Sequence, residues 1–400
     1  MHATDIHSYI ISFAKAMHPI SRSLQGSANR RPFAFTRATR SMALALALCQ
    51  LCGVCANAEA FEPVQATVTE IDQFGDIAFD MDQSVLDRIG LEYGDSVDLH
   101  FSGDHELKAV PYYPDFFGRM GDAALVVLFD TVKVGGFDCN LNESVGVEPG
   151  ETVTITLDQK GRYKAEYEAY NITNAAYRME GQTDEAFLNA REVTAGNIRP
   201  GRLYRSASPF DPSFGRVELM ESYLVEHNIG GILNLSNNQE KLASFEGLPD
   251  HTDAMIDQGL VIACYLGVDY LAPDAMRNIG TGLVRLMALE RPWLIHCNLG
   301  RDRTGVICAV LEALCGAGYD EIEQDYMLSY DQLHDFDMNP ESLQYRLYKM
   351  RIDDQLATIF SIQSGALPTA DLSAAAADYL TRCGMTQDQI DRLVGLLTGE

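Results

Sequence analysis

The feature that most constrains the fold is the apolar run Trp293-Leu294-Ile295, which is followed by the segment 296–305 and then by the apolar stretch 306–315. A short apolar run predicts a buried strand, and a longer apolar stretch predicts a buried helix. The segment 296–305, with the sequence His-Cys-Asn-Leu-Gly-Arg-Asp-Arg-Thr-Gly, is therefore expected to connect a core strand to a core helix.

The same alternation of strand and helix patterns extends over residues 165–400 and predicts an α/β domain, with a central sheet flanked by helices. The predicted strands are 203–205, 231–235, 260–266 and 293–296. The predicted helices are 216–227, 274–289, 304–316, 320–330, 341–360, 369–382 and 386–398.

Residues 61–158 follow a different pattern, in which short alternating or apolar runs are separated by Gly, Asp and Asn. The predicted strands in this region are 67–71, 97–101, 124–129 and 152–157. Short strands with such turns are typical of a small β-barrel or sandwich. A chain of 400 residues has room for two domains. We therefore predict a β-barrel domain over 61–158, joined to the α/β domain by a polar, tyrosine-rich stretch.

Residues 1–58 contain several arginines, then an apolar run over 41–54 that ends in Ala56-Asn57-Ala58. This order predicts a secretory signal that is cleaved near Glu59, and hence a secreted or extracytoplasmic protein. The export route and the true start remain open. Neither this run nor any later stretch is long enough to span a bilayer, so stable membrane insertion is not expected.

The charge and the cysteines restrict the possible partners. The 30 Lys and Arg residues against 57 Asp and Glu residues give a net charge of −27, which repels nucleic acids. The cysteines after residue 58 form no C-x-x-C pairs, so we expect neither a metal site nor a disulfide framework. They are Cys139, Cys264, Cys297, Cys308, Cys315 and Cys383.

Cys297 occupies the position at which a strand turns into a helix. The oriented amides and the dipole of a helix start lower the pKa of a thiol, and a nearby arginine lowers it further. The backbone amides that follow can surround a phosphoryl group, and the Arg303 guanidinium can bind two of its oxygens. The predicted phosphate-binding residues are Asn298, Leu299, Gly300, Arg301, Asp302, Arg303 and Thr304.

This sequence resembles the signature His-Cys-(x)5-Arg-Ser/Thr of the cysteine-dependent protein-tyrosine and dual-specificity phosphatase superfamily. It is most similar to the bacterial secreted or lipid-active branch with His-Cys-x-x-Gly-Lys-Asp-Arg-Thr-Gly, in which Lys stands at the position of Arg301. The segments 189–193 and 198–206 are similar to the same branch, so that the resemblance covers about 165–400.

The resemblance implies a phosphatase domain that needs no metal or other cofactor. It also implies a role for each residue of the signature. Cys297 attacks phosphorus, and Arg303 binds the equatorial oxygens of the transition state. His296 orients the loop, and Thr304 donates a hydrogen bond to the thiolate when the sulfur leaves.

Two carboxylic acids are candidates for protonating the leaving oxygen. Asp302 lies within the loop, and the resemblance favours it; Asp269 follows a predicted strand and is the alternative. Each also has a purely structural interpretation. Asp302 can form an ion pair with Arg301 or Arg205, and Asp269 can cap a turn or a helix.

The predicted function is a secreted phosphomonoesterase that acts on phosphotyrosine through a phosphocysteine intermediate. Its partner would be a phosphorylated protein or a small phosphomonoester. One alternative is hydrolysis of inositol phosphates or phosphoinositides, which is less favoured because Arg301 is the only basic residue at the variable loop positions. The other is a catalytically silent phosphate-binding protein.

The segment 68–76 resembles the opening of the C-terminal barrel of S-adenosylmethionine hydroxide adenosyltransferases, with Asp76 in place of the usual Asn. The resemblance covers about residues 61–158. Because the catalytic domain of those enzymes has no counterpart here, we expect a binding or scaffolding barrel without adenosyl chemistry.

Overall fold

The structure is a computed structural model that describes residues 62–399 apart from 73, 120, 129, 138, 173, 174, 176 and 268. The described residues from Pro63 onward belong to one compact unit. The predicted secretory signal over 1–58 lies outside the described residues, so it stays a prediction. None of the helices that the structure describes is long and apolar enough to cross a membrane.

The first half of the described chain forms an antiparallel sheet of seven strands, in the order β4-β3-β7-β1-β2-β6-β5. The strands are β1 Val64–Ile71, β2 Ile77–Phe79, β3 Ser96–Phe101, β4 Glu106–Pro111, β5 Ala123–Leu128, β6 Thr131–Gly136 and β7 Thr152–Gln159. Alternating residues of β3, namely Val97, Leu99 and Phe101, are buried, whereas His100 is exposed. The period of two thus gives the sheet an apolar interior face.

The two edge strands of this sheet approach each other. The Tyr113 amide, just after β4, donates to the Leu125 carbonyl of β5 over 3.0 Å, and Tyr112 forms an isolated bridge to the same residue. The sheet is therefore nearly closed, which agrees with the β pattern predicted for this region.

Three strands of this sheet were not predicted from the sequence. Strand β2 is very short, and β4 exposes Glu106 and Lys108 on one face. Strand β6 ends in Gly135 and Gly136, which indicate a turn in a sequence. Gly135 is nevertheless required inside the sheet, because a Cβ there would lie 2.0 Å from the Asp76 carboxylate.

The second half of the chain contains a sheet of five strands, in the order β11-β10-β12-β9-β8. Strands β9 to β12 run parallel, and β8 pairs antiparallel with β9 at the edge. The strands are β8 Arg191–Glu192, β9 Leu203–Ser206, β10 Gly231–Asn234, β11 Val261–Ala263 and β12 Trp293–His296. All residues of β9, β10 and β12 are buried, as expected of parallel strands covered on both faces.

The helices within the first half of the chain are α1 Gln83–Arg88, α2 Leu141–Val145 and α3 Lys164–Tyr170. Those of the second half are α4 Asp184–Phe187, α5 Val217–Glu226, α6 Gln239–Leu242, α7 Asp250–Asp257, α8 Pro273–Leu286, α9 Asp302–Leu314, α10 Tyr319–Leu333, α11 Leu343–Phe360, α12 Leu372–Arg382 and α13 Gln387–Thr398. Short 3₁₀ helices cover Pro212–Phe214 and Ser364–Thr369. The long helices coincide with the predicted ones to within a few residues.

The tyrosine-rich stretch after the first sheet, which was predicted to join the two domains, also packs against the second half of the chain. It contains α3, which packs against α11, and its Tyr170 is buried. The tyrosines of this stretch thus supply buried aromatic surface next to the second half of the chain.

Candidate active site

The segment predicted to carry chemistry forms a loop between β12 and α9. His296 is the last residue of β12, Cys297 follows it, and α9 begins at Asp302. Gly300 adopts φ +68°, and a Cβ at this position would lie 2.2 Å from the Ser206 carbonyl oxygen. Only glycine fits this close approach without strain, so the loop path over 297–301 depends on it.

The carbonyl groups of the loop point into the protein, where each finds a donor. Asn298 O accepts from the Ser208 amide over 3.0 Å, and Leu299 O accepts from Asn189 Nδ2 over 2.9 Å. Gly300 O accepts from Arg205 Nη2 over 2.9 Å. These bonds hold one polar face of the loop against the body of the protein.

The amide groups of the same loop are left free. Among the described residues, none accepts a hydrogen bond from the backbone N–H of any residue over 298–303. The start of α9 adds the positive end of its dipole at this place. Successive unpaired amides at a helix start form a binding site for an anion such as phosphate.

Two buried arginines support the loop from beneath. The Arg205 side chain is fully buried, and its Nη1 donates to the Asp325 carboxylate while Nη2 donates to Gly300 O. Arg191 Nε donates to Asp325 Oδ1 over 2.8 Å. The pairing and the hydrogen bonds offset part of the desolvation cost of these buried charges and fix the position of the support.

The segment 189–191, which resembles the phosphatase signature upstream of the loop, reaches the loop directly. Asn189 has φ +48° and is buried, and its side-chain amide donates to Leu299 O. Arg191 Nη1 donates to Asn189 Oδ1 over 2.8 Å and so orients that amide. This contact joins the segment 189–191 to the loop, although the two lie far apart in the sequence.

The Cys297 side chain is 3% exposed at the base of the loop. Burial opposes ionisation of its thiol, but the Arg303 guanidinium and hydrogen bonds from the Thr304 hydroxyl and amide outweigh burial and lower the pKa of Cys297. The buried Thr304 hydroxyl has no acceptor within hydrogen-bond distance among the described residues, so it is free to donate to the thiolate. The thiolate of Cys297 is therefore available at lower pH than that of an ordinary cysteine.

His296 is fully buried, and its Nδ1 lies 3.2 Å from the Cys297 carbonyl oxygen. Burial lowers the pKa of His296 to about 3, so the ring is neutral at physiological pH. A neutral ring that donates from Nδ1 orients the backbone at Cys297. The supporting role of His296 stays a prediction.

Arg303 projects from the first turn of α9. Its Nη1 donates to Leu235 O over 3.3 Å and to Leu266 O over 3.2 Å. Among the described residues, Nε and Nη2 of this guanidinium have no acceptor. One side of the guanidinium is thus anchored, and a planar pair of donors is left for a bound anion.

Asp302 and Arg301 form an ion pair on the loop. Arg301 Nε lies 3.1 Å from Asp302 Oδ1, and Arg301 Nη2 lies 3.1 Å from Oδ2. Packing around the carboxyl group raises its pKa, but Arg301 outweighs this and lowers the pKa of Asp302. The ion pair that the sequence allowed as a structural interpretation of Asp302 is therefore present with Arg301.

Asp269 lies in the connection between β11 and α8. Its Oδ1 accepts from the Leu271 amide over 2.8 Å and from the Ala272 amide over 3.2 Å, just before α8 begins. The capping interaction proposed for it from the sequence is therefore present. The Leu266 carbonyl, which accepts from Arg303, places the same connection beside the loop.

The sequence prediction missed the support that α10 gives to the loop. Asp325, Ser329 and Gln332 all accept hydrogen bonds from Arg191. Their spacing of four and three residues places polar groups on one face of a helix that is otherwise buried on that side, and this spacing is a signal visible in the sequence. No cluster of metal-ligating residues occurs in the described part of the chain.

The sequence model of the tyrosine phosphatase family matches residues 186–399, which is more than half of the chain. The chain belongs to the tyrosine phosphatase family. The match covers the loop, the two upstream segments that contact it and the helices that enclose it.

Three similar proteins match different shares of this chain and of their own length. The triple specificity protein phosphatase PtpB of Mycobacterium tuberculosis is 29% identical over 133 residues, which cover 29% of this chain and 48% of PtpB. The chain thus spans about half the length of the curated relative that it matches.

Two solved structures were also similar. The core catalytic domain of the PP-IP phosphatase SIW14 from S. cerevisiae, in complex with citrate, is 20% identical, with a TM-score of 0.24 and coverage of 43% of this chain and 91% of that chain. A conserved protein from Thermotoga maritima is 17% identical, with a TM-score of 0.21 and coverage of 23% and 35%. At these scores, neither structure adds to the family assignment.

Proposed function

We propose that the chain is a cysteine-dependent phosphomonoesterase that acts on phosphotyrosine through a phosphocysteine intermediate. One observation carries the proposal: the unpaired amides over 298–303 surround the position next to Cys297, whose pKa is lowered by Arg303. A thiolate nucleophile and an oxyanion site at the same place are what a phosphoryl transfer to cysteine needs.

In the first step, the Cys297 thiolate attacks phosphorus, the bond from phosphorus to the ester oxygen breaks, and the leaving oxygen keeps the bonding electrons. The loop amides and the free side of Arg303 bind the three remaining oxygens. An acid transfers a proton to the leaving oxygen, which departs as an alcohol or phenol. The product is a phosphoryl group bound to sulfur.

In the second step, a water molecule loses a proton to the same group, now a base, and attacks phosphorus. The bond from phosphorus to sulfur breaks, and phosphate leaves. The sulfur recovers its electron pair as a thiolate, which the Thr304 hydroxyl and amide stabilise. Splitting one displacement into two in this way is the advantage of a covalent intermediate.

We propose Asp302 as the acid, with Asp269 as the alternative. The lowered pKa of Asp302 means that it is ionised in the free enzyme. A bound phosphate dianion introduces negative charge next to this carboxylate, which raises its pKa and favours the protonated form that the first step needs. Asp302 is also about half exposed, with 47% of its side chain accessible, so a leaving group can reach it.

The proposed location is extracytoplasmic, after cleavage of the segment 1–58. The support is the order of basic residues, apolar run and Ala56-Asn57-Ala58. Mass spectrometry of the exported protein tests this, because we expect a mature N-terminus near Glu59. Retention of residues 20–50 in the exported protein would contradict it.

We also propose that the nearly closed sheet over 64–159 binds a ligand or acts as a scaffold, and that it has no adenosyl chemistry.

The experiment for the phosphatase proposal compares three proteins on an aryl phosphate and on a phosphotyrosine peptide. We expect steady turnover by the unchanged protein and loss of all turnover in Cys297→Ala. Cys383→Ala is the matched control, because burial raises the pKa of Cys383 to about 11 and leaves it unreactive. Binding of phosphate without turnover by the unchanged protein would instead favour the catalytically silent alternative.

A further inference from the structure

A cavity away from the loop is lined by arginines. Its volume is about 370 Å³, and the charged residues of its lining among those described are Arg202, Arg291, Arg392 and Asp391. Three guanidinium charges against one carboxylate leave a net charge of +2 at this place. The chain as a whole carries a net charge of −27, so the cavity is a basic site in an acidic protein.

The cavity lies at the opposite end of the five-stranded sheet from the loop. Arg202 directly precedes β9, and Arg291 lies two residues before β12, which runs parallel to β9. Cys297 directly follows the other end of β12. Four strand residues at about 3.3 Å each separate the two places by more than about 13 Å. One small phosphate ester therefore cannot reach both.

The hydrogen bonds of the three arginines go to neutral groups. Arg291 Nη1 donates to Leu396 O over 2.7 Å, and Arg392 Nη2 donates to Met287 O over 3.4 Å. Carbonyl groups near the end of a helix attract cations, which accounts for Arg291. Among the described residues, no group forms a hydrogen bond or an ion pair with the Arg202 side chain. Its guanidinium thus keeps all its donors for a ligand.

The carboxylate of the lining does not neutralise this cluster. Asp391 Oδ1 accepts from Gln387 Nε2 over 2.8 Å, and within the described part of the chain Asp391 forms no ion pair with an arginine. Burial lowers the pKa of Arg291, and the charge of Arg202 lowers it further, so the two guanidinium groups repel each other. Like charges held together without a counter-ion favour the binding of an anion from outside the chain.

The backbone around the cavity is held in place before any ligand binds. The Trp293 amide of β12 donates to Arg202 O over 3.0 Å. The Arg199 amide donates to Leu397 O of α13, also over 3.0 Å. The starts of two strands and the last turns of α13 are thus joined by hydrogen bonds. A preformed site of this kind binds a ligand without paying to order the backbone.

We propose that this cavity is a second, non-catalytic binding site that takes a phosphate dianion. The dianion matches the net charge of the lining, and its terminal oxygens can accept from several guanidinium groups at once. The volume lies in the range of about 300–1,000 Å³ that is usual for small-molecule sites, so the phosphate can be inorganic or part of a small ester. The site goes beyond the proposed function, because it needs neither Cys297 nor the loop.

The test is calorimetric titration with inorganic phosphate at constant ionic strength. All proteins carry Cys297→Ala, so that phosphate esters can later be compared without hydrolysis. We expect two sites per chain, the loop and the cavity. Adding Arg202→Met should weaken the cavity site by roughly tenfold to a hundredfold and leave the loop site unchanged. Adding Arg303→Met should remove the loop site. Arg346→Met, exposed on α11, is the matched control and should keep both.

The outcomes separate this proposal from the proposed function. Two undiminished sites after Arg202→Met, or a single site that Arg303→Met removes, would overturn the proposal. A single site that Arg202→Met removes would support it and count against the loop as a phosphate site. Arg202→Met alone should turn over an aryl phosphate at the unchanged rate, and a loss would contradict a non-catalytic role. Arg392→Met, exposed on α13, serves if Arg202→Met does not fold.

Further ligands identify the source of the phosphate. Tighter binding of glycerol 3-phosphate than of inorganic phosphate at the cavity would assign a small ester. Binding to vesicles of phosphatidylcholine with phosphatidic acid, lost in Arg202→Met, would assign a lipid headgroup. With neither effect, inorganic phosphate is the ligand. Succinate is the matched dianion without phosphorus, and binding as tight as that of phosphate would overturn the assignment to phosphate.

Discussion

Burial and electrostatics act in opposite directions on Cys297, and their balance decides what the residue can do. Burial is the main cause that raises the pKa of Cys264, Cys308 and Cys315 to about 12. At Cys297, burial is equally severe, but Arg303 and Thr304 outweigh it and lower the pKa. The difference between a reactive thiol and an inert one therefore comes from the loop and not from exposure.

This balance predicts the reactivity of the thiol. We expect iodoacetamide to alkylate Cys297, and the midpoint of its pH–rate profile to lie below the ~8.5 of a free thiol, since a lowered pKa makes the thiolate available at lower pH. Peptide mapping by mass spectrometry measures the site and the rate. Inorganic phosphate should slow the reaction by occupying the loop. A midpoint at or above that of a free thiol, or a rate that phosphate does not affect, would contradict the prediction.

The general acid can be identified from how the rate of cleavage depends on the leaving group. A phenol that is strongly acidic leaves with little protonation, whereas the phenol of phosphotyrosine needs a proton. Asp302→Asn should therefore lower phosphotyrosine cleavage by about 10²–10⁴-fold and affect an activated aryl phosphate much less. Kinetics on both substrates measure this. Equal losses would point to the ion pair with Arg301, and a leaving-group effect in Asp269→Asn would move the assignment to Asp269.

At the scale of elements, β12, α9 and α10 form the frame of the loop. Cys297 directly follows strand β12, and the start of α9 supplies unpaired amides. Helix α10 supplies Asp325, which forms ion pairs with Arg191 and Arg205 beneath the loop. Burial raises the pKa of Asp325, but Arg205 and Arg191 outweigh it and lower that pKa. The ionised carboxylate is thus the centre of the support.

Removing this carboxylate should destabilise the fold. We expect Asp325→Asn to lower the free energy of unfolding by about 3–5 kcal/mol, because it removes the carboxylate that pairs with the guanidinium groups of Arg191 and Arg205. Urea unfolding measures this, with Asp331→Asn, exposed on the same helix, as the control. Because the folded-state pKa of Asp325 is lowered, its contribution is present above about pH 4 and is lost as the pH falls. A difference between the two variants that grows toward low pH would contradict this.

The sequence predicted the elements around the loop because their patterns are local. The apolar run at β12, the glycine at 300 and the apolar α9 lie within a few residues of one another. The hydrogen bonds that complete the loop join residues about 100 positions apart, such as Arg205 with Gly300, and no local pattern encodes them.

At the scale of the whole molecule, aromatic rings link the two halves of the chain. Phe117, from the loop after β4, stacks on Tyr170 of α3 with ring centres 4.8 Å apart. Tyr170 meets Tyr348 of α11 edge to face at 5.8 Å, and the Tyr348 hydroxyl donates to the Tyr170 carbonyl over 2.8 Å. Arg119 adds an ion pair to Asp354 over 2.8 Å. The nearly closed sheet is thus packed against the helices behind the loop.

This packing predicts that the two halves unfold together. Tyr170→Ala should lower the free energy of unfolding by roughly 3–5 kcal/mol, since it removes a buried ring with contacts on both sides. Tyr177→Ala is the control, because 63% of Tyr177 is exposed and its loss should cost little. Calorimetry should give one cooperative transition for the unchanged protein. Two separate transitions, or equal effects of the two substitutions, would contradict the prediction.

The measurement that tests the phosphocysteine mechanism most directly is capture of the covalent intermediate. The protein is mixed with an aryl phosphate, quenched in acid within one turnover and digested for mass spectrometry. We predict one phosphoryl group on the peptide that contains Cys297, accumulation of this species when Asp302 is replaced by Asn, and its absence in Cys297→Ala. Full turnover by Cys297→Ala, or phosphorylation of a different residue, would contradict the mechanism.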